Sequence, residues 1–146
     1  MTAKSEQLFP SVEFVFENAQ FVDLVGIELV EAELGSCVSR LIIEDKHLQH
    51  LGRVHGAALA ALAGQTALGA AVSVISSDEF VVCPDFKVSL LRGVSKGTLL
   101  SSAKVVKSGK LLVFVEADIV ARGSESKGPV LKASYTFTRL QKREGA

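Results

Sequence analysis

The chain has 146 residues, 48% hydrophobic and 22% charged, which fits one domain with one folded core and excludes disordered and collagen-like classes. Sixteen basic residues balance sixteen acidic ones, so the basic excess that meets phosphate is missing and no nucleic-acid partner is expected. Cys37 and Cys83 form no CxxC or Cys/His cluster, which argues against structural zinc and a disulfide scaffold; no metal and no other cofactor is expected.

The opening MTAKSEQLF has no apolar signal region, and a cytoplasmic location is the expectation. Ser11 to Val25, with Phe14, Val15, Phe21 and Val22 among polar residues, predicts a short amphipathic helix closed near Gly26. Gly26 to Leu34 and Cys37 to Glu44 read as two strands joined by a tight turn at Gly35-Ser36. Asp45 to Arg53 is polar and reads as a loop, with His47 and His50 as solvated residues. From Val54 to Ser77 there is no Asp, Glu, Lys or Arg. That length would span a bilayer, but Ala, Gly, Ser and Thr dominate it, His55 and Gln65 lie inside it, and it has no aromatic anchors. It reads instead as a helix, about His55 to Val74, enclosed by protein, and no membrane association is expected.

The period then becomes two. Strands are predicted over Phe80–Leu91, which alternates in part around Pro84, and over Thr98–Val106, Leu111–Val120 and Val130–Leu140. Turns fall at Gly93–Gly97, at Ser108-Gly109-Lys110, and at a polar stretch with Gly123, Ser124, Ser126 and Gly128. The tail Gln141–Ala146 is polar and expected to fray. Short turns imply antiparallel neighbours, and a long helix that is apolar all round needs a sheet curved about it. The expected fold is therefore α+β: a hot-dog fold with about six antiparallel strands around a central helix, one domain over 1–146 with its core at about 14–140. Such a sheet leaves an edge and part of the helix bare, so a homodimer or homotetramer is expected.

The informative stretch is Gln49-His50-Leu51-Gly52-Arg53-Val54-His55-Gly56-Ala57. Gly56 and Ala57 place little side chain at a helix N-terminus, where free N–H groups and the positive dipole end point outward. A ligand carbonyl can approach such donors closely, which suits polarising a thioester or holding an oxyanion. Taken alone, His-Gly is common, and the favoured reading is that Gly56 lets the helix start pack tightly.

With its surroundings, the stretch resembles the hot-dog acyl-CoA thioesterases of the phenylacetate-degradation type. Gln49, Gly52, His55-Gly56-Ala57, Leu59, Ala60, Leu62 and Ala63 match that family's helix-opening motif in spacing. Val88 to Val94 with Gly97 is similar to its strand and following turn, and Ser108 to Leu111 followed by Val113, Val115, Glu116 and Ala117 looks like its next hairpin. The resemblance implies an acyl-CoA thioester as substrate. Gln49 then corresponds to the amide that contacts the thioester or attacking water, His55 to the histidine at the helix start, and the Gly56 N–H to the oxyanion donor.

The family's acid, nine positions after the histidine, falls on Gly64. Its second motif glycine falls on Ala57, its helical hydroxyl on Leu68, and its hydroxyl on the next strand on Cys83. Gly64 has no proton acceptor, and helix rotation aims the neighbouring Gln65 elsewhere. Losing the base forfeits about 10²–10⁴ in rate. Other carboxylates, Asp23, Asp45, Glu79 and Asp85, are expected to be solvated or capping. The candidate catalytic positions are thus Gln49, His55, Gly56 and the vacated Gly64, with Ala57, Gln65, Cys83 and Arg92 as substrate-binding candidates. As strand cysteines, Cys37 and Cys83 read first as small buried hydrophobes. Arg92, Lys107, Lys110 and Arg122 read as solvated charges at strand ends that coenzyme A phosphates would suit. Two functions follow from the resemblance: hydrolysis of a small or medium acyl-CoA, or acyl-CoA binding by a module that has lost its acid.

Overall fold

The structure, a computed structural model, describes residues 11–123 and 128–143. Helices α1 (residues 11–17) and α2 (Gln20–Val25) lead into β1 (Glu28–Glu33) and β2 (Ser36–Ile42). A 3₁₀ turn, Asp45–His47, precedes α3 (Gly56–Val72), and β3 (Glu79–Leu90), β4 (Thr98–Ser108), β5 (Leu112–Arg122) and β6 (Pro129–Gln141) follow. All strand pairs are antiparallel, and one sheet runs β1-β2-β4-β5-β6-β3. Helix α3 lies across it, mainly over β2, β4 and β5. This is the hot-dog architecture. The turn residues Ser124 and Ser126 and tail residues 144–146 lie outside the described part.

The single amphipathic helix expected over Ser11–Val25 is instead two helices. Asn18 ends α1 because its backbone N–H and its side-chain amide both donate to the Phe14 carbonyl, each at 3.0 Å. Ala19 then turns extended and α2 starts afresh. The break re-aims the apolar residues: Val12, Phe16 and Val22 are buried, while Phe14 and Phe21 are exposed. Gly26, at φ 92°, closes α2 in the left-handed region that glycine adopts without cost.

Among the described residues, no helix is long and apolar enough to cross a membrane. Within α3 only Ala57 is exposed, and Leu59, Leu62, Ala63, Thr66, Ala67, Ala70 and Ala71 are buried. The small residues bring the helix against the sheet. A Cβ on Gly69 would sit 2.6 Å from the Cys37 Sγ and 3.2 Å from Phe16 Cε2. At this C-terminal end of the helix, the Ser73 hydroxyl donates to the Ala70 carbonyl and accepts from the Gly35 N–H, both at 2.7 Å, tying α3 to the β1–β2 turn.

Strand β3 pairs with β6 alone, and its register skips between Val82 and Asp85. Cys83-Pro84 forms this bulge, and the extra residue changes which side faces the helix. Phe86, Val88 and Leu90 lie opposite Tyr135, Ala133 and Leu131 on the helix side, whereas Phe80 and Val82 lie opposite Leu140 and Thr138. The bulge also corrects the reading of Cys83 as a buried hydrophobe: on this bare edge it is exposed, unlike buried Cys37.

Arg139 ties the far end of the sheet together. It donates to Glu79 at 3.1 Å, to the Val74 carbonyl at 3.3 Å and to the Ser108 hydroxyl at 2.6 Å. Hydrogen bonds from the Ser76 N–H and hydroxyl, with Arg139 nearby, hold the Glu79 carboxyl below its ordinary range.

Two expectations follow. Gly69→Ala should lower the unfolding free energy by about 1–2 kcal/mol, because overpacking outweighs the gain in helix propensity. An unchanged denaturation midpoint would show that Cys37 can yield. For Glu79, a depressed folded pKa means stabilisation that is present above the ordinary glutamate range, about pH 4.3, and lost as pH falls toward the folded value. Glu79→Gln should therefore lower Tm more at pH 7 than at pH 3; equal losses at both would contradict this linkage.

Candidate active site

The site is built where the 49–54 loop meets α3. Gln49 N–H donates to the Arg53 carbonyl at 2.7 Å and Gly52 N–H to the Gln49 carbonyl at 2.9 Å, with Gly52 at φ 77° making the turn. The Gln49 Oε1 accepts from Leu51 N–H at 2.5 Å and more weakly from Arg53 N–H at 3.4 Å. Its oxygen is thus spent on the loop, and its Nε2 has no partner among the described residues.

His55 is the N-cap of α3: its Nδ1 accepts from the Ala57 N–H at 2.9 Å. With Nδ1 serving as the acceptor, Nε2 is left as the N–H donor of the ring. Ala58 and Leu59 N–H groups go to the His55 carbonyl at 3.0 and 3.2 Å. The remaining first-turn donor, the Gly56 N–H, has no hydrogen-bond partner among the described residues. Leu90 covers the glycine, its Cδ1 lying 2.8 Å from where a Cβ would stand.

His47 is not the solvated residue expected from its polar loop. It is buried, with Nδ1 accepting from Glu44 N–H at 2.9 Å and Nε2 donating to the Val25 carbonyl at 2.6 Å. Its own carbonyl accepts from His55 N–H at 2.7 Å, so it braces the helix start against α2. Its Val25 partner, distant in sequence, is why the local pattern hid this role. His50 is exposed.

Beside the helix start lies a cavity of about 430 Å³ walled by Phe21, Leu24, Val25, Ala57 and Ala58, with Lys46 and His55 also lining it. A larger hollow, about 620 Å³, lies on the opposite sheet face among Lys87, Lys104, Glu116, Asp118 and Lys132. That face has no helix terminus and none of the helix-opening motif, so the smaller apolar cavity belongs to the site.

Eight residues further along α3, Gly64 is half-buried. The three atoms nearest to a Cβ there all belong to Tyr135: Cε1 at 3.5 Å, the hydroxyl oxygen at 3.6 Å and Cζ at 3.8 Å. Tyr135 is the chain's only tyrosine. It is buried, stacks on Phe86 with centroids 5.4 Å apart and on Phe137 at 6.3 Å, and donates to the Ala60 carbonyl at 3.4 Å. Burial, with a smaller contribution from the Cys83 thiol, raises its pKa above the ordinary phenol value. The motif spacing did not point to Tyr135; its parity with Leu131 and Phe137 in the last strand was the available signal.

The other sequence candidates are dispersed. Gln65 donates through Nε2 to the Val15 carbonyl at 3.0 Å, fastening α3 to α1. The Cys83 thiol donates to the Asp85 carbonyl at 3.3 Å, and its pKa is raised, chiefly by desolvation, so it is a weak nucleophile. Arg92 is not the solvated charge expected: it is half-buried, its NH2 donates to the Gly128 carbonyl at 2.8 Å, and its Nε and NH1 are buried without partners among the described residues. It sits in the 91–97 loop, which holds the helix start through Val54 N–H to the Val94 carbonyl at 2.8 Å, with Arg53 packed on Gly93. Among the described residues, no cluster of three or more His, Cys, Asp or Glu could hold a metal ion.

Comparison with known proteins decides the family. Residues 51–126, which include the helix start, α3 and strands β3, β4 and β5, match the Thioesterase superfamily. The chain belongs to the thioesterase superfamily. A 1,4-dihydroxy-2-naphthoyl-CoA hydrolase of Listeria monocytogenes is 30% identical over 88 residues, 60% of this chain and 72% of that protein. A conserved protein of Pseudomonas aeruginosa superposes with TM-score 0.78 at 28% identity, covering 84% of this chain and 94% of the other. The PaaI protein of the Escherichia coli phenylacetic acid degradation operon reaches TM-score 0.85 at 20% identity over 96% and 98% of the two chains. At that identity the likeness is one of fold. The match to the thioesterase superfamily spans the helix start, and Gly64 stands where the resemblance implied an acid.

Proposed function

We propose that the protein hydrolyses acyl-CoA thioesters. The observation that carries this reading is the Gly56 N–H, unpartnered among the described residues, at the start of a 17-residue helix whose next residues, Ala57 and Ala58, line an apolar cavity. An N–H at the positive helix end stabilises the oxygen of a tetrahedral intermediate. The cavity gives the acyl group apolar walls, and the His55 Nε2–H and Gln49 Nε2 are further donors on the same loop and helix start. Arg92, with two buried nitrogens that have no partner among the described residues, is the candidate for a coenzyme A phosphate. The superfamily match and the naphthoyl-CoA hydrolase relative support this chemistry. The free cysteines accord with a reducing, cytoplasmic setting.

The site needs a second copy of the chain. Gly56 and Gly64 are about 12 Å apart along the helix, too far for one thioester to meet both. Ala57, Ala60, Ala61, Gly64 and Leu68 form one face of α3 that is not fully buried. A two-fold axis near Ala60, with the helices antiparallel, brings Gly56 of one protomer toward Gly64 of its partner. The sheet edges support the same assembly. Edge strand β1 has six residues and carries Glu28, Glu31 and Glu33, which discourage pairing. Edge strand β3 has twelve and exposes Phe80, Val82, Phe86 and Leu90. Light scattering should give a mass of at least twice 15.5 kDa at micromolar concentration, and Val82→Glu should shift it toward the monomer. A wild-type monomer would refute this assembly.

A second reading, acyl-CoA binding without turnover, rests on one observation: Gly64 supplies no base. Assaying wild type, Gly64→Asp and Gly64→Asn on a panel of acyl-CoAs separates the two. A Cβ at position 64 makes ordinary contacts, so both variants should fold. Wild type should hydrolyse slowly, and Gly64→Asp, but not Gly64→Asn, should gain up to about 10²–10⁴-fold. Tight binding with no turnover in wild type would favour the second reading.

A further inference from the structure

Gly64 leaves the site without a side chain to hold the attacking water, yet the space it vacates is bordered by one polar group. The three nearest atoms to a Cβ at position 64 are all from Tyr135, and its hydroxyl oxygen is 3.6 Å away. We propose that Tyr135 is a catalytic residue that holds the attacking water: its phenol oxygen accepts a hydrogen bond from the water while its own proton is directed to the Ala60 carbonyl. The proposal rests on the thioesterase reading above.

Three features support it. The hydroxyl is only partly used. It donates to Ala60 over a long 3.4 Å, and no group among the described residues donates to its oxygen. Buried polar atoms are normally paired, and here the unused lone pair belongs to the polar atom nearest the vacant position.

The ring is also fixed in place. Phe86, directly opposite on β3, stacks at 5.4 Å with an interplanar angle of 11°, and Phe137, two residues along the same face of β6, stacks at 6.3 Å. A group held by two neighbouring rings does not have to be ordered when substrate arrives.

The competing groups are engaged elsewhere. The Gln65 amide is on the Val15 carbonyl, the Cys83 thiol on the Asp85 carbonyl, and α3 has no carboxylate. A buried phenol stays neutral at physiological pH, so Tyr135 orients the water without removing its proton. In the step, the water oxygen bonds to the thioester carbon and the carbon–sulfur bond breaks. Sulfur leaves with the bonding pair and takes up the proton that the water loses, giving a carboxylic acid and a thiol.

The test is Tyr135→Phe, which keeps the ring and its stacking. Four quantities are measured: kcat and KM on an acyl-CoA that wild type turns over, binding of a non-hydrolysable acyl-CoA analogue, and the thermal midpoint. The expected result is a fall in kcat of about tenfold or more, with KM, analogue affinity and midpoint unchanged. An unaltered kcat in the folded variant overturns this role while leaving the thioesterase reading intact. A loss of analogue binding or of the midpoint in parallel with kcat makes Tyr135 a packing residue and overturns it too. A wild type inert on every acyl-CoA overturns both.

Discussion

The constraint on which this molecule depends is the enclosure of a helix with no charge on it. Helix α3 has no solvated face to compensate its burial, so the sheet must curve around it and close packing must supply the stability. Its small residues make that possible: at Gly69 the backbone comes so near β2 that one methyl would meet the Cys37 sulfur. A buried helix must also satisfy its ends. Ser73 serves the C-terminal end and His55 caps Ala57 at the N-terminal one. The donor on which our proposal rests is what this capping leaves over: the Gly56 N–H.

The same constraint explains the uneven edges of the sheet. Strand β1 is short and acidic, whereas β3 is long, apolar and interrupted by the Cys83-Pro84 bulge. Upstream of the bulge Phe80 and Val82 face away from the helix, and downstream Phe86, Val88 and Leu90 face it. The helix-facing half places Leu90 over Gly56 and Phe86 over Tyr135. A strand four residues long spans about 13 Å, matching the 12 Å between Gly56 and Gly64 on the helix. One strand thus floors both halves of the site while its other edge stays open. In our proposal, assembly along that edge and completion of the site are one event.

Much of this was legible in the sequence for physical reasons that can be named. A charge-free run of small residues fits only an enclosed helix, and His55-Gly56 marks its start; period-two runs between glycine turns mark the strands. What the sequence hid was long-range or sterically subtle. Phe14, Val15, Phe21 and Val22 fit one helix as well as two, and only the doubled hydrogen bond at Asn18 separates them. His47 looked solvated because its partner, the Val25 carbonyl, lies 22 residues away. Arg92 looked like a surface charge because nothing local shows that two of its nitrogens are covered. Tyr135 reaches position 64 only through the sheet, from the last strand, and no spacing rule along the chain connects them.

The glycine at position 64 is best understood by asking what the fold requires of it. Gly26 needs its glycine because φ is 92°, and Gly69 needs its own because no Cβ fits there. Gly64 meets neither condition: its φ is not positive, and a Cβ would make ordinary contacts of 3.5 to 3.8 Å with Tyr135. Within a helix, glycine is about 1 kcal/mol less favourable than alanine. Packing would therefore accept alanine and helix propensity would prefer it. When a local rule is broken without a structural return, the place to look for the reason is the site. At position 64 what glycine leaves is room, bounded by a fixed phenol and lying on the helix face that is not fully buried. A water molecule held there, or the end of an acyl group, would fill space that any side chain at this position would take away.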